Sequence, residues 1–308
     1  HISGLTQLRT LDLRQTPLTD AGMKHLSGLH SLESLDLEVT EVTDAGLNDL
    51  VPLKNLKSLV LTHLKITDEG TKTLSEIESL EHLTHYDTKI TDAGLAHIAG
   101  LGNLRSLNLG ATKITDDGIG HLGGLMQLEV LDLTSTRVTC DMLNHLQGTA
   151  SLRRIHFDRT HELTDQHLGQ LSHLRNLEEL RCVSDFITDD GLKQLRKLKQ
   201  LRELHIGGEQ ITNSGVAMFE NLPRLETLGI HRSQLNDQGL RNIRSPLISK
   251  LTLDGNRIKG SGLFQLRVLP SLRRLVVYEG ISEEAEKAAE RALPGVSIDT
   301  DDSWRFAP

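Results

Sequence analysis

The chain has 308 residues, of which 37% are hydrophobic and only 3% aromatic, and it carries a formal net charge of -8. An acidic balance argues against a general binder of nucleic acid or anionic membranes, which needs a basic excess, and so few aromatic rings argue against a base-stacking platform. No run approaches the roughly 18 apolar residues of a membrane-crossing helix.

His1-Ile2-Ser3-Gly4-Leu5 matches His25-Leu26-Ser27-Gly28-Leu29, the tail of a helix, so the chain is expected to start inside a repeating unit, as a fragment preceded by more repeats or another domain. The first strand, around Thr10 to Leu13, is then an uncovered sheet edge. Self-association through that N-terminal edge is expected.

From Leu8 onward one template returns, clearest in Leu104 to Leu125: L-x-x-L-x-L-x-x-T-x-I-T-D-x-G-I-x-x-L-x-x-L. Its first position falls at Leu8, Leu32, Leu56, Leu80, Leu104, Leu128, Leu152, Leu177, Leu201, Leu225, Ile248 and Leu272, twelve copies spaced by 24 residues apart from one interval of 25 and one of 23. Leu107 and Leu109 alternate with polar residues, the period of a strand with one buried face. Thr115 then offers a helix cap, with Asp116 suited to the dipole of the first turn. Ile119, Leu122 and Leu125 recur at helical spacing and predict one inward stripe. Thr16, Thr40, Thr88, Thr112, Thr136 and Thr160 share the ninth position, where a hydroxyl can bond turn backbone, a role also expected of Asn256. Each copy is a strand, a turn and a helix-like segment that buries its apolar side only by stacking.

This pattern resembles the leucine-rich repeat family, in the helical variety found in F-box-linked and many bacterial members. The resemblance covers about residues 1–293 and implies an α/β fold: a right-handed horseshoe solenoid with a parallel sheet on its concave face and helices on its convex face. It also implies that partners bind the concave sheet. Residues 1–298 are expected to form one repeat domain, and residues 299–308 a tail.

The first five copies are close to ideal, except that His85 stands where the sixth position calls for leucine; it reads as a core or edge histidine with a satisfied ring. Copies six and seven drift: Met142 and His167 replace the template glycine, Cys140 replaces the aspartate, and a residue is inserted near His161-Glu162. Cys140 and Cys182 take different template positions and are not expected to pair. Without cysteine-rich caps or an N-x-S/T sequon, an intracellular, cytoplasmic setting is favoured. After the last copy, Ser282 is expected to cap a helix ended by Pro294-Gly295, and Val296 to Ile298 to add a strand. Trp304 and Phe306 either fold over the end of the core or lead into a linker.

No catalytic motif survives. His161-Glu162-Leu163-Thr164-Asp165 begins like H-E-x-x-H but lacks its second histidine, and there is no phosphate loop or serine elbow. The histidines at position 18, among them His25, His97, His121 and His145, read as helix-surface residues. His63, His82 and Asp87 have near-neighbour spacing for a metal, a reading outweighed by that of a solvated surface. No enzyme activity and no cofactor are expected.

The outward positions of the sheet are more informative. The fifth position of successive copies begins with Asp12 and Asp36 and turns basic at His156, Arg181 and His205. Arg154, Asp158 and Arg159 flank this run on one side, His231 and Arg232 on the other. These eight residues are the candidate partner-binding patch, against the plainer reading of a mixed-charge solvated face. The expected function is protein–protein interaction through the concave sheet, with a protein partner that presents an acidic surface. The histidines should tighten such binding as pH falls from about 7.5 to 6. Two alternatives stand beside it: substrate recognition within a larger enzyme such as a ubiquitin-ligase adaptor, and a metal-dependent hydrolase using His156, Asp158 and His205.

Overall fold

The computed structural model describes residues 2–157, 162–278 and 281–300. They fall into two compact units, residues 1–158 and 159–308. The first holds seven strands, β1 (Thr10–Asp12), β2 (Ser34–Asp36), β3 (Ser58–Val60), β4 (His82–Thr84), β5 (Ser106–Asn108), β6 (Val130–Asp132) and β7 (Arg154–His156), each parallel to the next. The second holds β8 (Glu179–Val183), β9 (Glu203–Gly207), β10 (Thr227–His231), β11 (Lys250–Asp254), β12 (Arg274–Tyr278) and β13 (Ser297–Asp299), again parallel and in chain order. Twelve strands come from the twelve copies, and β13 from the segment after Gly295.

Register follows the repeat. Leu107 lies opposite Leu131, and Leu204 opposite Leu228. One strand face is therefore a column of leucines, and Leu107, Leu109, Ile119, Leu122 and Leu125 are all fully buried. The segments between strands are short α-helices, such as α1 (Asp20–Met23), α2 (Asp44–Leu47), α3 (Asp68–Leu74), α4 (Asp92–Ile98) and α5 (Asp116–Ile119), or 3-10 turns such as Cys140–Asn144 and Gly215–Asn221. Both units are thus α/β leucine-rich solenoids.

The expected threonine cap forms at Thr67, Thr139 and Thr188, but at Thr115 the pair works differently. Thr115 is the residue before α4's successor α5, yet its hydroxyl makes no bond to its own helix. It donates instead to Asp92 Oδ2 of the copy before at 2.7 Å, while its amide donates to Asp92 Oδ1 at 2.8 Å. The same double bond joins Asp20 to Thr43, Asp44 to Thr67, Asp68 to Thr91 and Asp116 to Thr139 in the first unit, and Asp165 to Thr188 and Asp189 to Thr212 in the second. Each carboxylate therefore clamps two copies together. It also explains the template glycine: a Cβ on Gly94 would fall 2.6 Å from Asp68 Oδ1, and one on Gly46 2.5 Å from Asp20 Oδ1. Where His167 replaces that glycine, its Nδ1 accepts the Thr164 amide at 3.1 Å.

The ninth-position threonines behave as expected. Thr16, Thr40, Thr88, Thr112 and Thr136 each donate to the carbonyl three residues back; Thr160 lies outside the described residues. Asn256 differs, because it bridges copies: Nδ2 donates to Ile230 O at 2.7 Å, and Oδ1 accepts from the Ser233 amide and hydroxyl. The residue before each threonine takes a left-handed conformation, seen at Gln15, Val39, Asp87, Ala111 and Ser135.

His85 departs from expectation. It is fully buried, and neither ring nitrogen has a hydrogen-bond partner among the described residues. Burial alone pushes its pKa down to about 3, so the ring is neutral. Cys140 and Cys182 are buried thiols. Ser282 caps the helix Glu283–Ala292 through Ala285 N at 3.3 Å, as its sequence predicts. Trp304 and Phe306 lie outside the described residues. No helix among the described residues is long and apolar enough to cross a membrane.

Candidate partner-binding site on the second unit

The outward face of β8 to β12 brings four of the expected residues into one neighbourhood. Arg181 on β8 lies in register with His205 on β9; His231 ends β10 and Arg232 follows it. Arg154 and His156 belong to β7 of the first unit. Asp158 and Arg159 lie outside the described residues. The sequence-based patch omitted the residues that complete the second unit's pocket, notably Glu203, Lys250, Thr252, Arg274, Val276 and Tyr278. These line a cavity of about 490 Å³ together with Arg181, His205 and His231. Their signal was the set of outward third, fifth and seventh positions in copies nine, eleven and twelve, where Glu203, Lys250, Thr252, Arg274, Val276 and Tyr278 fall.

Gly229 lies in register with His205 and two residues before His231. A Cβ there would fall 2.6 Å from His231 Nε2 and closer still to His205 Nδ1. Without it, the two rings meet over the glycine: His205 Nδ1 and His231 Nε2 are 3.1 Å apart, with ring planes 18° apart and centroids 5.4 Å apart. A centroid separation that large, with nitrogens so close, places the rings end to end, so the contact is an N–H···N hydrogen bond and not a stack.

Carboxylates close both ends of the pair. His205 Nε2 is 3.2 Å from Glu203 Oε1, and His231 Nδ1 is 3.6 Å from Asp254 Oδ2. Which of the two bridging nitrogens carries the shared hydrogen depends on the tautomers. Asp254 favours a further proton on His231 through its charge and a hydrogen bond.

The pocket resists that proton. Burial, then the Arg181 guanidinium, then the neighbouring ring push His205 down to about 4, against the opposing pull of Glu203. Burial also lowers His231, with Arg181 and Arg232 adding to it and Asp254 opposing. This corrects the expectation of a pair that charges between pH 7.5 and 6: His205 stays neutral through that window. The fixed charges are cationic guanidinium and ammonium groups. Arg181 bonds Glu203 at 2.6 Å and approaches Glu179 at 3.4 Å, and Arg274 pairs with Asp299 at 3.1 Å.

Among the described residues no group of three histidine, cysteine or acidic side chains is placed to hold a metal. The His63 ring instead bonds Asp87 Oδ2 at 2.8 Å and meets Tyr86 edge-on. At the other end of the first unit, Arg14 bonds Asp12 at 2.7 Å and lies 3.5 Å from Asp36. That acidic column is partly neutralised from within.

A family model for a leucine-rich repeat region matches residues 87–276, and a second leucine-rich repeat model matches residues 4–27. The chain belongs to the leucine-rich repeat family. Solved structures agree in fold. An internalin, InlF, from Listeria monocytogenes superposes with a TM-score of 0.71 at 24% identity, covering 97% of this chain and 88% of that one. A leucine-rich repeat protein from Leptospira interrogans gives 0.68 at 19% identity, with 97% and 85% covered. A structure of the yeast Rad7–Elc1 complex gives 0.64 at 18%, with 97% and 82% covered. No curated protein matches the chain.

Proposed function

We propose that this chain is a protein-interaction module whose partner docks on the outward sheet face of the second unit, around Arg181, His205 and His231. The observation that carries this reading is the cavity of about 490 Å³ on that face, lined by charged and apolar groups. Arg232 and its 3.9 Å approach to Asp185 extend the surface along the turn side. The yeast neighbour was solved as a complex of Rad7 with Elc1, in keeping with a fold that presents itself to other proteins.

The test compares capture of binding proteins by the native chain and by Arg181→Glu/His205→Glu, after a thermal melt establishes that the variant is folded. Lys113→Glu, a change outside the second unit, serves as control. Loss of capture in the double variant alone is the expected result. Undiminished capture overturns the assignment and moves attention to Asp12, Asp36 and Glu38 in the first unit.

A further inference from the structure

Lys250 and Arg274 stand opposite each other on β11 and β12. Like charges in register on neighbouring strands destabilise a sheet. Arg274 is compensated by Asp299, whereas the Lys250 ammonium has no ion-pair partner among the described residues. Among the residues lining the pocket, the cations Arg181, Lys250 and Arg274 face the single carboxylate Glu203, and Arg181 already holds that one. The two histidines add no charge near neutral pH, since His205 is held at about 4 and His231 is also lowered. An incoming anion thus finds Lys250 unengaged.

The surrounding groups limit how much negative charge fits. Glu179 and Asp254 lie on strands that form the pocket, beside Arg181 and His231, and Asp299 on the neighbouring β13 lies beside Arg274. Together with Glu203 they would repel a dianion such as phosphate more strongly than a single carboxylate. Val183, Thr252, Val276 and Tyr278 complete the lining, and of these Thr252, Val276 and Tyr278 are buried.

From this geometry we infer that the pocket receives a single aspartate or glutamate side chain of the partner protein, with Lys250 as its counter-ion. This rests on the docking face assigned above and names what that face recognises.

The test uses an acetylated, amidated leucyl-glutamyl-valine peptide and its glutaminyl twin, followed by NMR through the ring resonances of His205 and His231. The glutamyl peptide is expected to shift both rings and to bind about tenfold or more tightly than the twin, the usual effect of one charge-assisted bond. Lys250→Gln, a half-exposed polar exchange, is expected to abolish the difference while leaving the melting temperature in place. Equal binding of the two peptides, a preference that survives Lys250→Gln, or no shift at millimolar peptide overturns the inference. Isovalerate, a carboxylate without a peptide, is expected to bind more weakly; equal affinity would make the ligand a free small acid and overturn the protein source. Peptide discrimination with unchanged capture by Arg181→Glu/His205→Glu would sink the docking face alone. Lost capture without discrimination would sink the carboxylate alone.

Discussion

Asp92 accepts both the amide and the hydroxyl of Thr115, at 2.8 and 2.7 Å, and a Cβ on Gly118 would run into that same carboxylate. The bonds, the acceptor and the vacant space form one device that locks neighbouring copies together. In sequence it is the T-D-x-G of the template, seen within a copy but made between copies.

Asp92→Ala should therefore destabilise the chain by about 1–3 kcal/mol, because the half-buried Thr115 amide and hydroxyl both lose their acceptor. Gly118→Ala should cost a similar amount by pushing the carboxylate aside. The double variant should cost less than the sum, since removing the Asp92 side chain clears most of the space the new methyl needs. Urea unfolding of the four proteins measures the coupling. Strict additivity would show that the glycine serves some other purpose.

His85 predicts a pH-dependent stability. Its folded pKa is depressed to about 3 from an ordinary 6.5, so the unfolded chain takes up a proton that the folded one refuses. The stabilising difference is full above pH 6.5 and is lost as pH falls toward 3, at up to about 1.4 kcal/mol per pH unit. His85→Leu removes the two unpartnered nitrogens and restores the residue that the template places there. It should raise stability at pH 7 by about 1–3 kcal/mol and flatten the acid limb of the profile. An unchanged acid limb would assign the lost stability to other groups.

Val39 sits at φ 54°, a left-handed conformation that is costly for a β-branched side chain. It is held there because its amide donates to Thr62 O and the next residue, Thr40, bonds back to Leu37 O. Val39→Asn keeps both backbone bonds and suits that conformation better, and should raise stability by about 1 kcal/mol. Chemical denaturation decides it, and a loss would mean that the valine side chain contributes packing that outweighs the strain.

Much of this was legible in the chain because each copy repeats the same instruction. Leucine at positions four and six sets the buried strand face, and one register error would have misplaced every copy at once. The third and seventh positions of β10 to β12 were harder to use, since Lys250, Asp254 and Tyr278 acquire their meaning from strands about 24 residues away. The basic run at Arg181 and His205 was visible as residue types. Its chemistry was not: whether two histidines titrate near 6.5 or far below depends on burial and on Arg181, and their meeting depends on a glycine between them. His85 was visible as an exception, but only the packed core shows that nothing bonds its ring.

The histidine pair offers the sharpest electrostatic test. Arg181 contributes to lowering both His205 and His231, while Glu203 and Asp254 pull the other way. Arg181→Gln should therefore raise both pKa values toward 6.5, the more so because Glu203, no longer held at 2.6 Å by the guanidinium, turns fully toward His205 Nε2. Asp254→Asn should move His231 further down, by removing the carboxylate that favours its charged form. Ring-resonance titrations of the native chain and both variants read these shifts directly. Stability carries the same sign: with depressed folded values, the native pair contributes stability above the ordinary histidine range, which is lost as pH falls toward about 4 at His205. Arg181→Gln narrows that window from its acid side. If both histidines keep their native pKa values in Arg181→Gln, burial alone sets them, and the cationic wall of the pocket does not reach the pair.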